Sequence, residues 1–231
     1  MNDALLNVLR SVDTPTVCNA IEAAQGKRGF NNFTKATMVA SAPEEKSFVG
    51  YALTAKISAT SAPEEAAERV KERRMAYYKY MAEGQRPSVA VIEDCDFPNC
   101  VGAFWGEINT TVHKGFGVSG VVTNGVVRDL GDLPTGFPVI AGSIGPSHAF
   151  VHVREFGKPV SVFGLEVEEG DLVHADRHGA LVIPSLVIPS LQHAIEKLIA
   201  TERLVLDPAS KPDFDFEAFA KAWAAFEAAR T

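Results

Sequence analysis

Two short apolar runs on either side of one helical segment constrain the fold of this chain more than any other feature. Residues 88–92 and 118–123 are runs rich in valine, and residues 106–114 between them suit a helix. Near-continuous apolar strands joined through a helix are typical of a βαβ unit whose parallel strands are buried on both faces. The sequence therefore predicts an α/β fold with a buried, parallel central sheet.

The segments before this unit contain start and stop signals for further elements. Thr14, followed by proline, suits the N-cap of a helix that ends at Gly26, and residues 49–58 alternate as a strand does. Residues 61–64 match a capping box, which predicts a long helix from there to Gly84.

The segments after the unit change in character. Residues 137–184 are predicted to form several short strands separated by glycine and proline turns, which implies a β-rich layer. Ser190 is expected to cap a helix, and a loop at residues 207–210 separates it from a final alanine-rich helix over 214–230. With 231 residues that are 46% hydrophobic, we expect one domain over residues 1–231, with 205–231 as a helical extension.

Composition narrows the class of protein. The net charge is -7 and the 22 Lys and Arg residues are scattered, which disfavours nucleic-acid binding through phosphate contacts. Three cysteines without CxxC spacing are typical of free thiols in a reducing compartment. No signal-like start and no apolar run near the roughly 20 residues of a membrane span are found. We therefore expect a cytoplasmic protein without membrane or nucleic-acid partners.

Two familiar motifs occur without the context that they need. Residues 115–120 match G-x-G-x-x-G, but here the helix precedes and the strand follows, which is the reverse of a dinucleotide site. The pairs His148/His152 and His174/His178 have a zinc-like spacing. Residues four apart on a strand are about 13 Å apart, so a turn would have to fold each pair together. Hairpin hydrogen bonding or a position at a rim is the favoured interpretation, and a zinc hydrolase is a lesser alternative.

A first candidate site lies at Gly106, Glu107, Ile108 and Asn109, where a strand is expected to give way to the next helix. Open α/β sheets bind ligands beyond the carboxyl ends of their strands, and helix N-termini present N–H groups to anions. The alternative for Glu107 is that it only complements the helix dipole.

A second candidate site is the pair Arg128 and Asp129. The strand before the pair is expected to end near Asn124, and Gly125 allows a turn that brings the pair to the same rim as Glu107. Arginine pairs with a substrate carboxylate, and aspartate offers the hard oxygen that Mg²⁺ or Mn²⁺ prefers. The alternative is a salt-bridged turn.

The run of residues 117–129, GVSGVVTNGVVRD, resembles the RraA-like family, together with Gly106-Glu107 before it and the segment 170–184 after it. The resemblance covers roughly residues 10–205. This family contains class II 4-hydroxy-4-methyl-2-oxoglutarate aldolases and the ribonuclease E activity regulator. It implies a swivelling, phosphohistidine-domain-like β/β/α fold with a central sheet, a β-rich layer and flanking helices. It also implies homotrimers or homohexamers with active sites at subunit interfaces.

The resemblance also assigns roles to residues. Gly106, Glu107, Ile108 and Asn109 would contact the substrate, Arg128 would grip its pyruvyl part, and Asp129 would bind Mg²⁺ or Mn²⁺ with Glu107 near the metal's water. The implied activity is metal-dependent cleavage of a 4-hydroxy-2-keto acid to pyruvate, with oxaloacetate decarboxylation as a side activity. The alternative is a non-enzymatic regulator of the ribonuclease E type that acts through protein contacts.

A third carboxylate follows from periodicity. Leu191, Ile195 and Leu198 share one helix face, and Glu202 continues it, which is a costly place for an unpartnered carboxylate. Family aldolases borrow a glutamate from a neighbouring subunit, so Glu202 is the candidate for that role. The alternative is that the helix frays before Glu202.

The chain departs from the common family pattern in three places and leaves the substrate's distal groups unspecified. Glu107 and Asn124 stand where the family usually has aspartate, and residues 205–231 extend past the usual end. Trp105, His148 and His178 are candidates to line the specificity pocket.

Overall fold

The computed structural model describes residues 1–230. The helices of that part of the chain are α1 (Asp3–Ser11), α2 (Thr14–Gln25), α3 (Ala67–Glu83), α4 (Glu107–Gly115), α5 (Ile188–Ala209) and α6 (Phe216–Arg230). Its strands are β1 (Val39–Ala40), β2 (Phe48–Ser58), β3 (Ser88–Asp94), β4 (Ala103–Trp105), β5 (Val118–Thr123), β6 (Val126–Val127), β7 (Val139–Ala141), β8 (Ser143–Ile144), β9 (His152–Phe156), β10 (Val160–Val162), β11 (Leu165–Val167), β12 (Leu172–Asp176) and β13 (Gly179–Ile183).

The central sheet has the order β1-β7-β5-β3-β2-β12-β13. Its middle strands β7, β5, β3 and β2 are parallel, with Leu53 opposite Ala90 and Ile92 opposite Thr123. The long strand β2 shares its other edge between two antiparallel partners, β12 along its first residues and β9 along its last. The predicted parallel βαβ unit is confirmed, because β3 and β5 pair side by side with α4 between them in sequence.

Helices and a hairpin cover the central sheet. On one side Tyr77 and Met81 of α3 pack with Trp105 and Phe137. The β10–β11 hairpin contributes Val160, Val162, Leu165 and Val167 to a second apolar cluster. Helices α1, α2 and α5 pack against β12 and β13 in a third. The result is a mixed α/β fold with a curled central sheet and flanking helices, as the sequence predicts.

Several predicted helix ends are corrected. Asp13 caps α2, not Thr14, because its carboxylate accepts the Thr16 N–H at 2.9 Å. The expected capping box at residues 61–64 does not open α3, which begins at Ala67 without a side-chain cap. A 3₁₀ turn leads directly into α5 at Ile188, so Ser190 lies inside the helix.

The end of α5 is also corrected. The loop predicted at residues 207–210 is mostly helix, because α5 continues to Ala209 with Pro208 in its last turn. Within residues 1–230, no helix is both long enough and apolar enough to cross a bilayer.

Candidate active site

A second, small parallel sheet positions the candidate site. It has the order β4-β6-β8, and Trp105 at the end of β4 lies opposite Val127 at the end of β6. Gly106 and Arg128 therefore follow neighbouring parallel strands at the same edge, and the Arg128 N–H donates to the Trp105 carbonyl at 2.9 Å. The prediction that the two segments share a strand-end rim is right, but the strands are β4 and β6 and not β3 and β5.

Arg128 and Asp129 form a partly exposed ion pair beside the start of α4. Arg128 Nε lies 3.3 Å from Asp129 Oδ2, and the two side chains are 31% and 36% exposed. The same oxygen accepts the N–H of Glu107 at 3.2 Å. Asp129 has a φ of 57°, a left-handed conformation that aspartate tolerates better than most residues. The chain thus turns sharply to bring this carboxylate to the helix N-terminus.

Gly106 permits the close approach of these groups. A Cβ atom at residue 106 would lie 2.5 Å from Asp129 Oδ2 and 3.0 Å from both Cγ and Nε of Arg128. Any side chain there would push the ion pair away from α4. Gly106 therefore contributes to the site because the absence of a side chain leaves room for the ion pair.

The first turn of α4 presents N–H groups to this rim. Thr110 is bonded to the Gly106 carbonyl, so the N–H groups of the three residues before it have no intrahelical acceptor. The Glu107 side chain is exposed, and that of Ile108 is 74% exposed. The Asn109 side chain is engaged elsewhere, because it accepts from the Tyr78 hydroxyl at 2.6 Å and donates to the Phe104 carbonyl at 2.5 Å. Only the main-chain N–H of Asn109 remains available for a ligand.

The buried side chains of His113 and Tyr77 connect α4 to α3. The Nδ1 atom of His113 bonds the Asn109 carbonyl at 2.6 Å, so this nitrogen carries the proton, and Nε2 accepts from the Tyr77 hydroxyl at 2.8 Å. Burial lowers the pKa of His113 to about 4, so the ring is neutral at physiological pH. This network fixes the orientation of the helix whose N-terminus forms the rim.

The donors at the rim suit a hard, hydrated cation. Asp129 and Glu107 offer carboxylate oxygens that are open to solvent. Mg²⁺ commonly binds one or two carboxylates and keeps several waters or substrate oxygens. Among residues 1–230, no three His, Cys, Asp or Glu side chains converge as a complete metal site. The residues present therefore fit an ion that is completed by water, by substrate or by a neighbouring subunit.

Glu202 lies outside this rim in the chain. It is half-buried in the middle of α5, so the expected alternative of a frayed helix end is wrong. It lines a groove of about 1000 Å³ together with Glu22 and Arg28 near α2 and with Phe226 of α6. No residue of β4, α4 or β6 lines this groove, so within one chain Glu202 and the rim do not share it.

The other predicted pocket residues are dispersed. Trp105 is fully buried in the core and does not line an open pocket, which corrects that expectation. His178 lies in the turn between β12 and β13, where it bonds Asp176. His174 is buried and contacts Thr14 and Leu9. Hairpin hydrogen bonding thus explains His178, whereas His174 ties β12 to helices α1 and α2. His148 and His152 line a separate cavity beside Asn109.

Sequence reasoning missed a buried carboxylate at the end of β3. Asp94 is 1% exposed, its backbone pairs with the Asn124 side chain, and burial raises its pKa. Its Oδ2 atom has no hydrogen-bond partner among the described residues. An aspartate directly after an apolar strand was the available signal. Asn124 thus ties the end of β5 to β3.

The fold places the chain in a class of mixed α/β proteins with a curled central sheet and flanking helices. Within that class, the chain belongs to the RraA-like family: the family model, Aldolase/RraA, matches residues 14–182. The family includes both aldolases and RNase E inhibitors. The matched residues contain β4, α4 and β6, so the rim lies in the family's own domain and α6 lies outside the match.

Two curated relatives match only part of the chain. Protein DlpA of Legionella pneumophila is 30% identical over 124 residues, which are 52% of this chain and 19% of DlpA. The uncharacterized protein MJ0644 of Methanocaldococcus jannaschii is 31% identical over 105 residues, which are 45% of this chain and 50% of that protein. The matched regions thus span about a fifth and half of these relatives.

Solved structures share the fold at low identity. One of novel cellulases from microbes associated with the gut ecosystem has a TM-score of 0.71 at 18% identity, covering 88% of this chain and 87% of that one. Streptomyces coelicolor RraAS2, an unusual member of the RNase ES inhibitor RraA family, has a TM-score of 0.64 at 21% identity, covering 91% and 98%. At such identities the similarity supports the fold alone.

Proposed function

We propose that this chain is a divalent-metal-dependent aldolase that cleaves a 4-hydroxy-2-keto acid to pyruvate. The observation that carries the proposal is the convergence of three groups on one exposed rim. Asp129 Oδ2 lies 3.3 Å from Arg128 Nε and 3.2 Å from the Glu107 nitrogen at the N-terminus of α4. A cation-binding carboxylate beside a fixed guanidinium and open N–H groups matches the needs of a keto acid, which carries a carboxylate next to a carbonyl.

Arg128 and α4 bind the substrate in this proposal. The Arg128 guanidinium pairs with the substrate carboxylate, and the N–H groups of Ile108 and Asn109 donate to its oxygens. Asp129, together with waters, would hold Mg²⁺ or Mn²⁺, and Glu107 would lie near the metal's water. When bound, the ion would supply positive charge beside the 2-keto oxygen, where negative charge develops as the bond breaks.

The bond cleavage needs one proton acceptor. A water polarised by Glu107, or by Glu202 from a neighbouring subunit, takes the proton of the 4-hydroxyl group. The C3–C4 bond then breaks, C4 becomes a carbonyl carbon, and the electron pair passes to the pyruvyl half, where Arg128 stabilises the charge. Protonation at C3 gives pyruvate. Oxaloacetate decarboxylation develops the same charge and is an expected side activity.

The test is an assay of pyruvate release from 4-hydroxy-2-keto diacids with Mg²⁺ or Mn²⁺ and with EDTA. We expect release with metal, none after full chelation, and none from Asp129→Ala. Activity that survives chelation would refute the metal role. If no divalent metal supports release and the protein retains ribonuclease E in a pull-down, the chain is a regulator and the proposal is wrong.

The role of Glu202 predicts that the site is shared between subunits of a homotrimer or homohexamer. Asp129→Ala and Glu202→Gln are each expected to be inactive alone. Mixed and reassembled, they should regain part of the activity, because some interfaces then combine an intact Asp129 with an intact Glu202. Glu196→Gln, six residues earlier on α5 and exposed, is the matched control and should stay active. Absence of complementation in mixed oligomers would remove Glu202 from the site.

A further inference from the structure

A second cavity lies beside α4. It has a volume of about 410 Å³, and α3, α4 and the loop before β9 contribute to it. Its apolar wall includes Phe104 and Phe150, the second of which is 58% exposed. Asn109 borders it through the side chain that Tyr78 holds. Because residues 107 and 109 are about 200° apart around a helix, this cavity lies on the other side of α4 from Glu107.

The polar lining of the cavity carries one guanidinium, two imidazoles and a tyrosine hydroxyl and, among the described residues, no carboxylate. Arg74, His148, His152 and Tyr78 all line the cavity, and none of its lining residues within residues 1–230 is acidic. Arg74 makes no ion pair with any residue that the structure describes. Glu65 is a nearby carboxylate, but its ion pair with Arg73 engages it and lowers its pKa. The cavity therefore has at its wall an exposed guanidinium without an ion-pair partner among the described residues.

The two histidines are oriented by main-chain carbonyls. His148 Nδ1 bonds the Ala149 carbonyl at 2.7 Å, and His152 Nδ1 bonds the Phe150 carbonyl at 2.8 Å. A carbonyl only accepts, so each Nδ1 carries a proton and each Nε2 is left for another partner. Two histidines alone do not complete a metal site, and no third metal ligand joins them in the described residues. A ring that is protonated at Nε2 as well is a cation that donates from Nε2, and in that form it suits a ligand with acceptor oxygens.

The loop that carries these histidines is built in advance of any ligand. The Ser147 carbonyl accepts the Ala103 N–H at 2.8 Å, and the Phe150 N–H donates to the Ala59 carbonyl at 3.1 Å. Ala149 has a φ of 44°, a conformation that costs free energy in a residue with a Cβ and persists only where the surroundings enforce it. A preformed, partly apolar pocket with few convergent polar groups is the usual form of a small-molecule site.

We propose that this cavity binds a small organic anion, whose oxyanion contacts Arg74 and accepts from the Nε2–H groups of the two histidines in their doubly protonated, cationic form, and whose apolar body rests on Phe104 and Phe150. Carboxylates and phosphate esters share this chemistry. Its occupancy would act on the rim through Asn109 and α4, but binding itself does not depend on the proposed aldolase activity.

The experiment is calorimetric titration of the full-length Arg128→Ala protein, in which the anion-binding arginine of the rim is absent. The probes are benzoate, phenyl phosphate, inorganic phosphate and the neutral benzamide. We expect saturable binding of benzoate or phenyl phosphate, with the tighter of the two identifying the preferred oxyanion. Inorganic phosphate should bind more weakly because it has no apolar body, and benzamide should not bind measurably.

Variants locate the binding. Adding Arg74→Gln should raise the dissociation constant of the aromatic anion at least about tenfold, the scale of losing one charge-assisted contact. Adding Arg69→Gln, which removes the same charge from an exposed position of α3, should leave it unchanged. His148→Gln, also at an exposed position, should weaken binding as well. It replaces Arg74→Gln in the test if that variant fails to fold. The proposal is overturned if benzamide binds as well as benzoate, if no aromatic anion binds, or if folded Arg74→Gln and His148→Gln bind unchanged.

Discussion

The N-termini of α2 and α4 use the same device in different surroundings. At α2, the Thr14 N–H donates to Asp176 Oδ2 at 2.9 Å, and Asp176 comes from a strand 162 residues away. At α4, the Glu107 N–H donates to Asp129 Oδ2 at 3.2 Å. In both, a distant aspartate complements the positive end of a helix dipole. Asp176 is 6% exposed, whereas the Asp129 side chain is 36% exposed.

The difference separates a structural contact from a candidate site. Asp13 caps α2, and Asp176 also accepts from His178, so the polar groups at α2 are satisfied inside the protein. At α4 the cap is Gly106, which offers no side-chain acceptor. An aspartate at a helix N-terminus stabilises the fold where it is buried and fully bonded, and it remains available to a ligand where the helix end is open.

The largest effect is expected at the N-terminus of α4, which is open to solvent. Arg128→Ala should lower kcat/KM for pyruvate release about 10²–10³-fold, the scale of removing one group that stabilises developing charge. Its unfolding free energy should change by less than about 0.5 kcal/mol, because the side chain is partly exposed and its ion pair is screened. The exposed Arg154→Ala is the control and should retain full activity. A large loss of stability in Arg128→Ala would make the rim a structural contact like that at α2.

The N-terminus of α2, where the aspartate is buried, should respond in the opposite way. Asp176→Ala should lower the unfolding free energy by about 2–3 kcal/mol, because it leaves the buried Thr14 N–H without an acceptor. Activity per folded molecule should be unchanged. Urea unfolding and the pyruvate assay measure the two effects. Asp176→Asn keeps an acceptor oxygen and should lose less; an equal loss in both variants would point to charge instead of the hydrogen bond.

Acid should weaken the anchoring of both helices. Burial lowers the pKa of His113 under α4 and of His174 beside α2 from the ordinary value of 6.5. Below about pH 6.5 the unfolded chain therefore binds protons that the folded chain does not. The free energy of unfolding therefore decreases as the pH is lowered, by up to about 1.4 kcal/mol per pH unit for each group. Urea unfolding at pH 7.0 and 5.5 should show the loss, and His113→Gln should reduce the slope. Stability that is constant or rises on acidification would contradict the burial of these rings.

The smallest effect concerns the space at Gly106. Gly106→Ala places a Cβ 2.5 Å from Asp129 Oδ2, the end of a side chain that can move, so we expect the ion pair to shift and kcat/KM to fall about tenfold. Gly115→Ala at the other end of α4 meets no atom within 4 Å and should leave activity unchanged. Equal activity of both variants would show that the rim tolerates displacement of Asp129.

The sequence by itself determined the parallel βαβ unit, the family, and the neighbourhood of Gly106 and Glu107 with Arg128 and Asp129. These features are encoded locally, because apolar runs, glycines and strand ends follow one another along the chain. The family match over residues 14–182 confirms the resemblance read from residues 117–129. The roles of the site residues, Glu202 among them, stay predictions.

Only the tertiary structure decided which strands form the rim and which aspartates are buried away from solvent. Strands β4 and β6 have three and two residues, too few to show a period, and they exist because they pair with each other. The contact of Asp176 with the start of α2 and the hydrogen bond between His174 and Thr14 join residues that are 160 or more positions apart. Local patterns do not encode such contacts. Burial by distant segments therefore makes one helix end structural and leaves the other open for chemistry.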